Sequence, residues 1–176
     1  MRTSLLFTTL TSLFIVANLQ LAHTQTDQLV ADWERAKAFT LEYLEAMPAD
    51  KYDLKPTPEM RSFAGQVLHL TDANYGFGSA VLGIDSPMER GANEKTEDKS
   101  KANVIKLVTA GYDFMINGIK KTDASKWDET ISLFGRFEVT RALGLEKAFE
   151  HQTHHRGQAT VYLRLGGATP PQEKLF

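Results

Sequence analysis

Apolar residues recur every three or four positions along most of the chain, the period of a helix with one face turned inward. Leu29, Trp33, Ala36, Thr40, Tyr43 and Met47 make one such stripe, which Pro48 and the following Ala49-Asp50 end. Lys55-Pro56-Thr57-Pro58 keeps the connecting chain extended, because each proline disfavours helix at the residue before it. Thr57 or Pro58 is then the expected opening of the next helix. A second stripe runs through Phe63, Val67, Leu70, Asn74, Phe77 and Val81 and is closed by Gly83 and Pro87. The mixed-charge stretch from Glu89 to Lys101 has no apolar period, and it is expected to be a solvated loop without a binding role.

Val104, Val108, Gly111, Met115 and Gly118 form the third stripe, thickened by Leu107, Phe114 and Ile119. Residues 123–137 are less regular. Trp127, Ile131, Leu133 and Phe134 are expected to pack there as a short element with a bend at Gly135. A fourth helix is expected from near Phe137 to about Leu165, stopped by Gly166-Gly167 and Pro170-Pro171. No alternation long enough for a useful strand stands out, and nothing repeats. The pattern predicts an all-α protein, a four-helix bundle with one long crossover connection, with Trp33 and Trp127 in its core.

Ahead of the first stripe lies a different kind of segment. Leu5 to Ala22 is an apolar run diluted by Thr and Ser, and Arg2 is the only charge before Asp27. Ala22-His23-Thr24 offers a small residue three positions before a cut preceding Gln25. The expectation is a signal peptide over 1–24 and a single domain over 25–176, exported to the periplasm or beyond and free of the membrane after cleavage. An uncleaved anchor is the alternative, since about 18 residues can just span a bilayer.

Composition narrows the chemistry. At 176 residues the chain is the size of one domain. Its 20 basic and 22 acidic residues give a net charge of −2, with no cluster of Lys and Arg to suggest nucleic acid. The absence of cysteine rules out disulfides, thiolate zinc sites and a thiol nucleophile from the protein itself.

What remains is histidine. Of the five, His23 falls at the leader boundary, leaving His69, His151, His154 and His155. On a helix His151 and His155 differ by about 40° of rotation and ~6 Å of rise, so their rings point into one volume and can share an ion. His154 is the competing partner of His151 and points to its other side. The stripe continues to Gln158 and Tyr162, which could hydrogen-bond around an ion or touch a substrate, while Gly144 and Ala148 would leave room for a pocket. His69 is flanked by Gln66, Ala73, Gly76 and Ala80, again mostly small. On residue chemistry alone a hydrogen-bonded or exposed histidine is the commoner use, and that reading stays open. Gln152 follows His151, so the general base of the His-Glu-x-x-His pattern is missing and a zincin-type protease is disfavoured.

The stretch His-Gln-Thr-His-His-Arg-Gly-Gln-Ala-Thr-Val-Tyr-Leu-Arg-Leu-Gly-Gly-Ala-Thr-Pro-Pro (151–171) resembles the C-terminal signature of the DinB-like family. The segment from Met47 to His69 is similar to that family's end of helix one, linker and helix two. The resemblance runs in order over roughly residues 28 to 172 and is most specific at His-x-x-x-His-Arg-Gly-Gln with Pro-Pro following. It implies a four-helix bundle, often a homodimer, with a metal held by one histidine of helix two and two of the last helix. Position by position these are His69, His151 and His155, with His154 a neighbour. Family members of known chemistry are metal-dependent thiol transferases and related enzymes, and many others have no assigned activity. The export signal sets this chain apart from them.

Three neutral imidazoles suit Zn, Ni, Fe or Cu and leave positions open for water or a small-molecule substrate. Zn is the expected divalent ion, with Ni, Mn or Fe as alternatives. The expected function is metal-dependent activation of a thiol or water, for transfer to or hydrolysis of a small molecule. Arg156 could hold an anion, although it is expected to project away from the ligand face into a surface or interface ion pair. A non-catalytic metal- or ligand-binding bundle of the cell envelope is the alternative, as is an ion that only stabilises the fold.

Overall fold

Four helices carry the fold: α1 (Thr3–Ala46), α2 (Phe63–Leu82), α3 (Lys101–Lys121) and α4 (Arg141–Leu165). The computed structural model describes the backbone of residues 3–176 and the side chains of residues 24–176. The leader expected over 1–24 therefore lies, Thr24 apart, outside the residues whose side chains are described. Among the described residues no helix is long and apolar enough to cross a membrane.

Helix α2 packs along α3 and α4, and α1 packs along α3 and less extensively along α4, so among the described residues α1 and α2 face each other across the bundle. The predicted stripes turn inward. Trp33, Ala36, Thr40 and Tyr43 of α1 with Met47 just past its end, Phe63, Val67, Leu70, Asn74 and Val81 of α2, and Val104, Val108, Met115 and Ile119 of α3 are all buried. Trp127 joins them, and its indole N–H donates to Thr26 Oγ1 at 3.0 Å, pegging the α3–α4 connection to α1. Glycines allow close helix contact at several points. A Cβ at Gly111 would come within 2.7 Å of Thr71 Cγ2, and one at Gly144 within 2.8 Å of Val81 Cγ2. Gly144 is thus where α4 presses on α2, and it does not open the pocket the sequence suggested.

Four expectations about connections need correction. Helix α2 opens at Ser62, not at Thr57 or Pro58. Ser62 Oγ accepts from Gly65 N at 3.1 Å, while the otherwise unpaired N–H groups of Phe63 and Ala64 donate to Leu54 O and Tyr52 O. Helix α4 begins at Arg141, capped by Thr140, by the same device: Arg141 N and Ala142 N donate to Glu129 O and Trp127 O. The residues before it form a two-stranded antiparallel hairpin, β1 (Thr130–Leu133) and β2 (Phe137–Thr140), with Ile131 opposite Val139 and Leu133 opposite Phe137. Phe134 and Gly135 reverse the chain at φ 56° and 68°. Each strand is only four residues long, too short for alternation to stand out against helical spacing on both sides. The connection 83–100 is also not alone in being long, since 47–62 and 122–140 match it.

Candidate metal centre

Helices α2 and α4 are neighbours, and that places His69 against the pair on α4. The ring centroids of His69 lie 5.5 Å from His151 and 4.7 Å from His155, and those of the α4 pair are 4.4 Å apart. One ligand atom from each ring falls within 4.8 Å of the others. The Nε2 atoms of His151 and His155 are 3.2 Å apart. Two nitrogens held about 2.05 Å from one ion at a tetrahedral angle would be separated by about 3.3 Å, so the pair already has the spacing of a bidentate site. These three histidines could hold a metal ion. His154 is exposed and turned aside, its Nε2 2.8 Å from Gln158 Nε2.

The far nitrogens show how the rings are held. His69 Nδ1 is 3.2 Å from Glu94 Oε2 and 3.3 Å from Arg61 Nη2, and Arg61 Nε donates to Glu94 Oε1 at 2.7 Å. With Nδ1 protonated and donating to Glu94, the Nε2 lone pair of His69 is free to face the other two rings. His155 Nδ1 is 2.8 Å from the side-chain amide of Gln66. The Gln66 amide nitrogen faces Nδ1 and donates to Gln158 Oε1; only with both glutamine amides turned would the Gln66 oxygen accept Nδ1–H and leave Nε2 for an ion. Gln66 also contacts Gln158, which links His155 to His154. His151 Nδ1 is buried and has no partner among the described residues; the ring is held by packing against Phe77, 5.8 Å between centroids.

Burial, with the nearness of His69, His154 and Arg61, pushes His151 down to about 4. Burial and then His151, His69, His154 and Arg61 push His155 down to about 3. Both rings are therefore neutral near pH 7 and offer lone pairs without having to lose a proton. Burial alone would raise Glu94, but the hydrogen bond and charge of Arg61, with His69 behind, hold it below the ordinary carboxylate range.

Glu94 is the residue the sequence did not reveal. It lies in the stretch read as a solvated loop, and the fold brings it to the site. Asp72 of α2 anchors that loop, accepting from Asn93 N, Asn93 Nδ2 and Glu94 N at 3.1, 2.8 and 2.9 Å. His69 and Asp72 are three residues apart on α2, but no spacing rule links them to position 94, so only the tertiary fold could bring Glu94 there.

Two other candidates take different places. Tyr162 is buried, and its hydroxyl donates to Arg61 O at 2.9 Å, tying α4 to the residue before the cap of α2. Arg156 does not reach the surface in an ion pair. It is buried over the Phe39 ring at 4.8 Å and donates to Gln152 Oε1 at 2.6 Å and to Thr40 Oγ1 at 3.4 Å. Gln152 accepts in addition from Tyr112 O–H at 2.9 Å, and Tyr112 contacts Thr40 at 2.7 Å. This network fills the face of α4 that meets α1 and α3, about 100° around the helix from the histidines. It fixes the rotation of the helix, because a turned α4 would bury these groups unpaired.

A profile of the DinB family matches residues 21–175. The chain belongs to the DinB family. It is similar to the uncharacterized protein YjoA of Bacillus subtilis, 29% identical over 147 residues that cover 82% of this chain and 93% of that one. Among solved structures, a DinB-like protein from Bacillus cereus superposes with a TM-score of 0.74 at 18% identity, covering 84% of this chain and 97% of its own. The crystal structure of the DinB-like YjoA of Bacillus subtilis gives 0.67 at 24% identity, covering 83% and 96%. These likenesses establish the DinB bundle; the site rests on the side chains described above.

Proposed function

We propose that this DinB-family protein is an exported metalloenzyme that holds one divalent ion, zinc by the character of its ligands, on His69, His151 and His155. The observation that carries the reading is the convergence of three imidazoles from two helices, two of them with Nε2 atoms at 3.2 Å. Bound there, the ion would act as a Lewis acid that lowers the pKa of a coordinated thiol or water, with at least one position left open by three protein ligands. Glu94 holds the His69 ring with Nε2 turned toward the other two rings, and Gln66 fixes the orientation of the His155 ring through its contact with Nδ1. Arg61 keeps Glu94 ionised, and the Arg156 network keeps α4 turned toward α2. The expected reaction is transfer of a thiol to a small electrophile, or its hydrolysis. The leader-like pattern of residues 1–24 supports export.

Elemental analysis of the purified mature protein tests the centre. One equivalent of metal is expected in the wild type and none in His151→Ala, and full stoichiometry in that variant would rule the assignment out. A screen of model electrophiles with added thiols then tests catalysis. Absence of turnover by metal-loaded protein would leave a non-catalytic binding bundle. N-terminal sequencing of the exported material should begin near Gln25.

A further inference from the structure

Beside the centre lies a cleft of about 540 Å³, within the range that encloses small-molecule ligands. His69 stands in its wall together with Ala73, Gly76 and Phe77 of α2, Met88 of the following loop and Phe134 of the hairpin turn. Phe134 is unusual in two ways. It is the only non-glycine residue at positive φ among the described residues, and it is 50% exposed. A left-handed backbone is unfavourable for a bulky side chain, and such strain tends to persist where it serves a site. Here it brings the ring 4.9 Å from Phe77 in edge-to-face contact, while Phe77 in turn packs at a tilt against His151. Three rings thus run from the hairpin tip to a candidate metal ligand.

Charge decides which end of a ligand goes inward. Glu94 and Arg61 cancel each other through their ion pair. The Asp72 carboxylate is taken up by the loop backbone and Asn93. Glu89 and Arg90, also in the wall, are of opposite charge, so a divalent ion at the centre would favour an anionic donor group, whereas Ala73, Phe77, Met88 and Phe134 give the cleft an apolar side.

We propose that this cleft seats a small molecule with a flat apolar body and one anionic donor group, the body against Phe77 and Phe134 and the donor directed at the ion. This rests on the metal reading above, and the test separates the two. Zinc-loaded full-length protein is titrated calorimetrically with 2-naphthoate and with acetate, and zinc content is measured in parallel. Naphthoate should bind at least about tenfold more tightly than acetate, because only its rings bury apolar surface. Phe134→Ala should weaken naphthoate about three- to tenfold, the range of one aromatic contact. Gly76→Leu should abolish it, since Gly76 faces open cleft with Phe134 Cε1 as its nearest neighbour at 4.0 Å. Both variants should keep one zinc per chain.

Full zinc content with naphthoate no tighter than acetate, or with unchanged binding in both variants, overturns the proposal and leaves the centre standing. Equal naphthoate binding by chelator-stripped protein overturns the inward donor. Failure of wild-type protein to hold zinc removes the centre and this proposal with it.

Discussion

Removing the Glu94 side chain tests whether a loop residue far from the histidines in sequence controls the ion. In Glu94→Ala, His69 Nδ1 loses the carboxylate now 3.2 Å away, and the Arg61 guanidinium, 3.3 Å from the same nitrogen, loses its counter-charge. Two effects then oppose binding. The His69 ring is no longer held in the tautomer that presents Nε2, and an unneutralised cation stands beside the cationic centre. Loss of such an outer partner typically lowers metal affinity about 10- to 100-fold, or about 1.4–2.7 kcal/mol. Stability of the metal-free protein should hardly change. The pair is partly exposed, with Glu94 at 33% and Arg61 at 42%, and surface ion pairs contribute about 1 kcal/mol or less. The assay is competition for zinc against a chromophoric chelator near pH 7.5, with thermal unfolding of chelator-stripped protein alongside. Arg61→Ala in the Glu94→Ala background should restore part of the loss by removing the cation. A zinc affinity for Glu94→Ala within twofold of wild type would refute the reasoning.

Other expectations follow from the same geometry. Gly144→Ala forces a Cβ to within 2.8 Å of Val81 Cγ2, which should destabilise by about 1–3 kcal/mol and lower Tm by several degrees; an unchanged melting curve would contradict the close α2–α4 contact. His151 and His155 have folded pKa values of about 4 and 3, below the ordinary histidine value, so the unfolded chain binds protons first as pH falls. The metal-free protein should therefore be most stable above about pH 6.5 and lose stability progressively down to about pH 3, measured by denaturant melts across that window. A flat profile between those limits would show that the rings are not buried neutral. Stripping the ion should lower Tm, and zinc added back should raise it with concentration, the stabilisation reaching about 2.7 kcal/mol at a hundredfold excess over Kd; a concentration-independent Tm would exclude coupling of ion to fold.

Much of the scaffold is legible in the residues because helical burial has a period that the chain repeats. Trp33, Phe63, Val67, Val104, Val108 and Met115 fall where spacing puts them, and Pro48 and Gly83 stop helices for local steric reasons that need no partner. The α4 histidines were visible as a pair for the same reason, four residues being one turn. The hairpin was less visible: Thr130–Leu133 and Phe137–Thr140 are β-branched and aromatic segments around Gly135, but each holds too few residues to outweigh helical patterns beside it.

Helix existence, the inward faces and the shared direction of His151 and His155 are local properties, fixed by bond geometry within a few residues, and the sequence alone determined them. The tertiary structure decided which helices became neighbours, and so whether His69 reached the pair on α4. It also turned Arg156 into the core, put Tyr162 under the α2 cap, and carried Glu94 from an apparently solvated loop to His69 through the Asp72 anchor. These are contacts between residues distant along the chain, and they form only when burial of the apolar faces has chosen one packing of the helices.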